Sequence, residues 1–270
     1  MNMISNAEKN LASPTLENSI VPGIRIICIS DTHDRHRKLD FKIPDGEVLI
    51  HCGDFTSTGK KESIIDFINW FADLPHPTKI IIGGNHDTTL DTNFYNSLGK
   101  DRFHSNSPCN SLECRQLLLE HPKINYMEDS ALTVTFGADS MIKFYGSPWQ
   151  PEFCEWAFNL PRGEDLLKKW NLIPNDVDVL ITHGPPYGIL DRNFSSMNCG
   201  CEDLRRSVAE RIQPRVHLFG HIHESYGTFS NGKTLFANCS TCNLWYRPVN
   251  PPIKIFLPFD RTQHARLLRG

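Results

Sequence analysis

Aspartate, asparagine and histidine side chains follow directly after five short apolar segments of the 270-residue chain. The five polar groups are Asp31-Thr32-His33, Gly53-Asp54, Gly84-Asn85-His86-Asp87, His183-Gly184 and Gly220-His221-Ile222-His223. Carboxylate oxygens, an amide oxygen and neutral imidazoles are hard to borderline ligands, which suit Mn²⁺, Fe, Zn²⁺ or Mg²⁺ and not a soft ion such as Cu(I). The sequence therefore predicts a metal site that several separate loops build together.

The spacing within these groups supports the same interpretation. In Asp31-x-His33 and His221-x-His223, the two side chains of a pair can point to the same side, because alternate residues of an extended segment share a face. Gly53, Gly84 and Gly220 stand beside candidate ligands and permit tight turns and close backbone approach. A single aspartate or histidine at a strand end is more often a capping or solvated residue, so the prediction depends on the whole ordered set.

Other polar and aromatic residues have no such pattern. Arg35 only trails the first pair, and His51 and His217 lie inside apolar segments, which is typical of hydrogen-bonded core histidines. Four further histidines also lie outside the set and have no motif, namely His36, His76, His104 and His121. Trp149, Trp156 and Tyr187 follow strand-end loops; they could wall a substrate pocket and stack on a base, or simply pack over the sheet edge.

The apolar segments that must position the polar groups are each four to six residues long, and they are typical of strands covered on both faces. They run from Ile24 to Ile29, Val48 to His51, Lys79 to Ile82, Ile142 to Tyr145, Val177 to Thr182 and Val216 to Phe219. In an open α/β sheet, ligands bind outside the carboxyl ends of the strands, so we expect the polar groups to converge in one crevice.

Apolar residues at helical spacing predict helices in several of the segments that connect the strands. Ile64, Ile65, Ile68, Phe71 and Ala72 recur at helical spacing before Pro75, and Leu204, Val208 and Ile212 recur before Pro214. The stretch from Asp91 to Glu128 is hard to interpret apart from a candidate helix over Leu112 to Leu119. A later strand is predicted over Lys233 to Ala237, and the Pro-punctuated segment from Pro248 to Pro258 favours an edge or surface strand. We expect a flexible leader over residues 1–21 and one α/β domain over residues 22–270.

Composition and charge limit the kinds of partner and the cellular compartment that are expected for the protein. The net charge of 28 − 31 = −3 argues against binding of nucleic acid by bulk electrostatics. With neither a secretory pattern nor an apolar run of about 20 residues, a cytoplasmic protein without a membrane partner is expected, and nuclear residence stays open. Nine cysteines form no compact framework, so Cys239-x-x-Cys242 and Cys199-x-Cys201 are predicted to be reduced and metal-free.

The ordered blocks ISDTHDRH, HCGDFT, GGNHD, YGSPWQP, THGPPYGILD and FGHIHESYG resemble those of the calcineurin-like metallophosphoesterase family and, within it, of the animal metallophosphoesterase domain-containing proteins. The likeness covers Asp31 to His223, and the blocks in this order are far more specific than any one of them. It implies a four-layer α-β-β-α sandwich, with two mixed sheets flanked by helices.

The resemblance also implies roles for individual residues. Asp31, His33 and His223 would bind one divalent ion, Asn85, His183 and His221 a second, and Asp54 would bridge both. His86 would stand beside the phosphate as proton donor, and Asp87 could orient a neighbouring group. Mn²⁺ is the favoured ion, with Fe, Zn²⁺ and Mg²⁺ as alternatives. Two such cations, roughly 3.5–4 Å apart, would convert a bridging water to hydroxide that attacks phosphorus.

The expected function is hydrolysis of a small phosphodiester, with cyclic nucleotides among the candidates. A nucleotide-binding or scaffold protein of the same fold with little turnover is the main alternative, and complete motifs argue against it. A nuclease is disfavoured by the negative charge. A protein phosphatase is disfavoured because the Asp-Arg-Gly that those relatives carry shortly after the Gly-Asp block is missing, and Asp54 is followed here by Phe55-Thr56-Ser57-Thr58-Gly59. No arginine follows the Asp54 or Asn85 blocks closely until Arg102, which favours diesters over dianionic monoesters, although Arg35 could supply the missing clamp. The oligomeric state is not indicated.

Overall fold

The computed structural model describes residues 21–268. The predicted leader, residues 1–21, lies outside the described residues except for its last position. The described residues form six α-helices: α1 Lys61–Asp73, α2 Thr92–Phe94, α3 Lys100–His104, α4 Ser111–Leu119, α5 Glu164–Asn171 and α6 Glu202–Ser207. The first seven strands are β1 Gly23–Ile29, β2 Val48–His51, β3 Thr78–Ile82, β4 Asn125–Met127, β5 Ser130–Phe136, β6 Ser140–Ser147 and β7 Gln150–Pro151. The others are β8 Asn159–Leu160, β9 Val179–Thr182, β10 Val216–Phe219, β11 Gly227–Ser230, β12 Leu235–Asn238, β13 Ile253–Pro258 and β14 Arg266–Leu267.

Two six-stranded mixed sheets organise the fold, in the orders β14-β13-β1-β2-β3-β4 and β11-β12-β10-β9-β6-β5. In the first sheet β1 to β4 are parallel and β13 pairs with β1 in the antiparallel sense. In the second, β12, β10, β9 and β6 are parallel, and β11 and β5 close the edges as antiparallel strands. In each sheet the central strands are therefore parallel, and their carboxyl ends lie side by side at one end of the sheet.

Alternation of side chains along the strands produces the layers. Ile26 and Ile50 of the first sheet share a buried cluster with Phe144 and Leu218 of the second, so the two sheets pack face to face. The next residue of β1, Ile27, points the other way and packs with helices α1 and α4. On the far face of the second sheet, the buried cluster contains residues of α5 and α6. The predicted four-layer α-β-β-α sandwich is confirmed.

All six predicted strands are present, β2 and β10 have the predicted bounds, and β6 extends two residues beyond its prediction at each end. Strand β9 begins at Val179, two residues later than predicted. The later strand is β12, over Leu235–Asn238. The helix predicted before Pro214 is α6, which continues as a wider π-helical turn over Val208–Ile212.

The C-terminal segment differs from its prediction as an edge strand. Strand β13 pairs with β1 on one side and with the two-residue β14 on the other. The prolines do not prevent this, because Pro251 and Pro252 precede the strand and Pro258 ends it, so the backbone N–H groups between them remain available for pairing. None of the helices among the described residues has the length and apolarity that a membrane span requires.

Candidate metal centre

The predicted ligands come together at the carboxyl edge of both sheets. Asp31 and His33 follow β1, Asp54 follows β2, and Asn85 and His86 follow β3 of the first sheet. His183 follows β9, and His221 and His223 follow β10 of the second sheet. Since the sheets face each other, three loops from one and two from the other enclose the same space.

The loop backbones are strained at this point. The φ angles of Asp31, His33, Asp54 and His221 are 52°, 40°, 56° and 68°, in the left-handed region that L-residues rarely occupy. Backbone hydrogen bonds hold the first two loops together: Asp31 N donates to Gly53 O at 2.9 Å, and His33 N to Asp54 O at 3.1 Å. These bonds fix the candidate ligands from two neighbouring strands relative to each other.

Glycines make the close approach possible, as the sequence predicts. A Cβ atom on Gly84 would collide with the side chain and backbone of Asp54, and one on Gly220 with the side chains of Asp31 and Ser30. Either substitution would push a loop away from the candidate ligand on the next strand.

Asp31, His33 and His223 form the first cluster, whose ligand atoms lie within 4.8 Å of one another. His223 Nε2 is 3.2 Å from His33 Nε2 and 3.4 Å from Asp31 Oδ1. Because His223 Nδ1 donates to the carbonyl oxygen of Asn243 at 3.1 Å, the Nε2 of the neutral ring carries its lone pair toward these atoms. Asp31 is held by Ser240 Oγ and by the backbone N–H of His221.

Asp54, His183 and His221 form the second cluster within the same limit of 4.8 Å. His183 Nδ1 donates to the carbonyl oxygen of Cys52 at 2.8 Å, so its Nε2 faces the Oδ1 of Asn85 at 3.0 Å and the Oδ2 of Asp54 at 3.3 Å. In the neutral ring three lone-pair atoms meet here with no proton between them. A cation fits this arrangement, and the same holds for the first cluster.

Asp54 stands between the two clusters. Its Oδ2 is 3.3 Å from His183 Nε2 and 3.9 Å from His33 Nε2, while its Oδ1 accepts from the backbone N–H of His86 at 2.8 Å. His86, His33 and Asp54 also lie within 4.8 Å of one another, so distance alone would let His86 act as a ligand. The neighbourhood of Asp54 is therefore where the assignment of roles must be tested.

Burial and the neighbouring carboxylates together set the pKa values of the imidazoles. Burial lowers the pKa of His33 and of His221 to about 3, which leaves both rings neutral and able to donate a lone pair. For His183 burial lowers the pKa, but the carboxylates of Asp54 and Asp31 outweigh it and raise the value to about 9. The negative charge that would attract a proton to His183 would equally attract a metal cation.

Asp87 joins two ligand loops. Its carboxylate accepts from the backbone N–H groups of Asp54, Thr56 and Gly84, each at 2.9 Å, and from Thr56 Oγ1 at 2.7 Å. Burial and the Asp54 carboxylate raise the pKa of Asp87 to about 8, yet all four partners are donors, which suits the ionised form. Asp87 thus holds the backbone beside Asp54 and Asn85, which agrees with the orienting role suggested for it from sequence.

A cavity of about 570 Å³ opens above the clusters, and Asp54, Asn85, His86, His221 and His223 contribute to its lining. Of the three aromatic residues considered from sequence, only Trp156 lines it. Its ring stacks on His86 with centroids 4.0 Å apart. Sequence analysis missed Tyr246, whose ring packs against His33 at 4.8 Å, and Arg162. Both come from loops with no motif, and only the tertiary structure brings them here.

The other two aromatic candidates lie elsewhere. Trp149 packs on Phe158, donates from Nε1 to Asp129 at 2.9 Å and lies under the ammonium group of Lys169, so it is a packing residue. Tyr187 is exposed and is not part of the cavity lining. Arg35 is also exposed and outside the lining. His51 and His217 are fully buried and bond to Thr32 and Thr182, which confirms them as core histidines.

The fold and the site together define a layered α/β protein with a candidate two-ion metal centre at the carboxyl edge of its sheets. The model of the calcineurin-like phosphoesterase family matches residues 24–225. The chain belongs to this family of metal-dependent phosphoric ester hydrolases.

Similarity to individual proteins supports the same family assignment. The chain is 47% identical over 247 residues to metallophosphoesterase domain-containing protein 1 of Homo sapiens, covering 89% of this chain and 73% of that protein, and it matches the Mus musculus protein equally. A UPF0046 protein of Caenorhabditis elegans is 38% identical over 90% of this chain and 62% of its own length. A crystal structure at 17% identity superposes with a TM-score of 0.56 over 91% of this chain and 98% of its own, which supports the fold alone.

The cysteine motif gives a prediction of its own. Cys239 and Cys242 are buried, and their sulfur atoms contact the carbonyl oxygens of Ala237 and Thr32. Replacing both by alanine is expected to leave a stoichiometry of two bound ions unchanged. Lost packing should lower the free energy of unfolding by about 1–3 kcal/mol, and with it the melting temperature. Elemental analysis and thermal unfolding measure the two effects. A third ion that is lost in the double variant would show a thiolate site.

Proposed function

We propose that the protein is a phosphodiesterase that hydrolyses a small phosphodiester, with cyclic nucleotides among the candidates. Asp31, His33 and His223 would hold one divalent cation, Asn85, His183 and His221 the second, and Asp54 both, with Mn²⁺ favoured. The observation that carries the proposal is the convergence of seven donor side chains on two adjacent positions, with His86 beside them. The nine unpaired cysteines support a reducing compartment such as the cytoplasm.

The charge balance of the site suits an anionic substrate. Two divalent cations there would neutralise phosphate charge and lower the pKa of a water molecule in the site. Asp31 and Asp54 are the only carboxylates among the proposed ligands, so the occupied site keeps a positive charge although the chain carries −3. Asn85 and the four proposed histidine ligands contribute lone pairs without adding negative charge.

His86 has the position that a proton donor to the leaving oxygen needs. Its Nδ1 donates to the carbonyl oxygen of Ser57 at 2.9 Å, and the stack on Trp156 fixes the plane of its ring. Only Nε2 is left to face the cavity. The ring must therefore be an imidazolium when it protonates the departing alkoxide.

The lack of a free cationic side chain in the cavity lining favours a diester over a monoester. Among the described residues that line the cavity, Arg162 is the only arginine or lysine, and its guanidinium already donates to the carbonyl oxygens of Gly200 at 2.8 Å and Cys199 at 3.2 Å. The second negative charge of a monoester would thus find no free guanidinium fork beside the proposed ligands, whereas a monoanionic diester needs none.

The experiment compares kcat/KM for bis(p-nitrophenyl) phosphate and p-nitrophenyl phosphate with Mn²⁺ present, for the wild type and for Arg35→Ala. We expect the wild type to prefer the diester by about 10-fold or more, the scale of one missing charge-assisted hydrogen bond, and we expect Arg35→Ala to keep that ratio. A chelator should abolish turnover and Mn²⁺ restore it.

Two results would contradict the proposal. A preference for the monoester that disappears in Arg35→Ala would show that Arg35 reaches the phosphate. Metal binding without turnover of either ester would instead identify a binding or scaffold protein of the same fold.

A further inference from the structure

The cavity extends well beyond the candidate ligands. Three loops wall its outer part: residues 150–156, residues 193–200 and residues 244–246. Its volume of about 570 Å³ is that of a site for a whole small molecule and exceeds what a phosphate group alone requires. The outer part therefore has room for the group that esterifies the phosphate.

Large apolar side chains face solvent in this outer part. Phe153, Phe194 and Met197 are 62%, 75% and 59% exposed, and Leu244 and Tyr246 are each 43% exposed. They belong to three different loops, yet all five line the same cavity together with Trp156. Exposed apolar side chains that collect around one concave site mark a place where apolar surface is covered by a ligand or partner.

Two of the three loops that carry these side chains are tied to the candidate centre, and the first of these two is the loop of residues 193–200. The N–H of Phe194 donates to Glu224 Oε1 at 2.9 Å, and Glu224 follows directly after His223. The side chain of Asp191 accepts from the N–H groups of Gly188 and Gly200 and so closes the base of this loop. The apolar wall is thereby held in place before a ligand arrives, which lowers the entropic cost of binding.

The third loop is fixed in the same way. The carbonyl oxygen of Asn243 accepts from His223 Nδ1, and the Asn243 side chain accepts from the N–H groups of Trp245 and Arg247. Tyr246 has a φ of 55°, and its ring packs on His33 and His223 at centroid distances of 4.8 and 5.5 Å. One face of the cavity is thus aromatic right down to the candidate ligands.

The charges of the outer part exclude a second anion. Apart from the candidate ligands and His86, the ionic residues that line the cavity within residues 21–268 are Glu152, Glu224 and Arg162. Arg162 is bonded to the loop carbonyls, and the two carboxylates leave the region with a net charge of 1 − 2 = −1. A carboxylate or a further phosphate on the ligand would be repelled there.

We infer that the outer cavity binds the alcohol part of the substrate and selects a bulky, apolar and uncharged group, so that the substrate carries its negative charge at a single phosphate. The inference rests on the proposed function, because it assumes that the phosphate lies at the candidate metal centre. It adds the chemical class of the remainder of the substrate.

The test uses the full chain loaded with Mn²⁺ at about pH 6, where an alkylphosphonate is mainly a monoanion like a diester, and three phosphonates that cannot be hydrolysed: methylphosphonate, hexylphosphonate and 6-phosphonohexanoate. The last two have alkyl chains of similar length and differ in the terminal carboxylate. Isothermal calorimetry should show that hexylphosphonate binds at least about 10-fold more tightly than methylphosphonate. The terminal carboxylate should remove most of that gain.

Variants locate the effect. The double variant Phe194→Ala, Met197→Ala should reduce the ratio of the hexyl to the methyl affinity to about 3-fold or less. Phe229→Ala removes an exposed aromatic side chain outside the cavity lining and should leave the ratio unchanged. Glu152→Gln should recover part of the binding of 6-phosphonohexanoate. Thermal unfolding of each variant reports whether the fold is intact.

The outcomes separate the inference from the function on which it rests. If the diester is hydrolysed but the methyl and hexyl compounds bind equally or not at all, the inference is wrong and the proposed function stands. Tighter binding of 6-phosphonohexanoate than of hexylphosphonate would also overturn it. If neither turnover nor phosphonate binding is observed, both fail together.

Discussion

Asp54→Asn is expected to remove most hydrolysis and to weaken the binding of both metal ions together. The carboxylate of Asp54 lies beside both clusters, 3.3 Å from His183 Nε2 and 3.9 Å from His33 Nε2. An amide offers one neutral oxygen where a carboxylate offers two charged ones. The loss in metal affinity should therefore exceed the roughly 10–100-fold loss that follows when a residue that only orients a ligand is changed, and be about 100-fold or more for each ion.

Metal titration followed by elemental analysis measures the effect, with kcat/KM recorded at saturating Mn²⁺. Asparagine tolerates the left-handed backbone of position 54, so the fold should persist. Asp129→Asn is a matched control, because Asp129 also has a positive φ of 45° but belongs to neither cluster. Loss of one ion with full retention of the other would show that Asp54 does not bridge.

His86→Ala is expected to leave the metal content near that of the wild type and to lower kcat by about 10²–10⁴-fold, the usual scale for a lost general acid. The side chain donates to Ser57 O and stacks on Trp156, and no candidate ligand depends on it for a hydrogen bond. The loss should be largest for an alkyl leaving group and smaller for p-nitrophenolate, which departs without a proton.

Kinetics with both leaving groups and metal analysis of the same preparation are needed. His121→Ala, which changes a histidine outside the site, serves as the control. Loss of an ion in His86→Ala would assign His86 as a ligand in the cluster that it forms with His33 and Asp54. An equal loss of kcat for both leaving groups would argue against proton donation.

The parallel strands and the site were predictable for the same reason. Apolar segments of four to six residues ended by Asp, Asn or His carry a signal in the local sequence, and parallel strands bring their carboxyl ends to one edge. Strand β5 carries a weaker signal, because it is an edge strand whose residues are all partly or fully exposed. The edge placement of β13 was wrong in detail because pairing depends on where its prolines fall relative to the strand ends.

The cavity walls could not be predicted. Trp149, Trp156 and Tyr187 have similar sequence contexts, but only Trp156 stacks on His86. The position of Tyr246 depends on a positive φ and on the bond between Asn243 and His223, neither of which leaves a pattern in the sequence. Residues within the ordered motifs could be identified from the sequence, whereas residues that reach the cavity only through tertiary contacts could not.

The left-handed backbone at Asp31, His33, Asp54 and His221 has a consequence for the evolution and engineering of this protein. Glycine would relieve the strain at each position, and strain of this kind costs on the order of 1–3 kcal/mol per residue. Four such residues consume an amount comparable with the whole net stability of a typical domain, about 5–15 kcal/mol. The buried layers between and outside the two sheets must offset that cost. Selection for thermostability alone would therefore favour substitutions at the very positions of these proposed metal ligands, so a stabilised variant should be sought with these four residues held fixed.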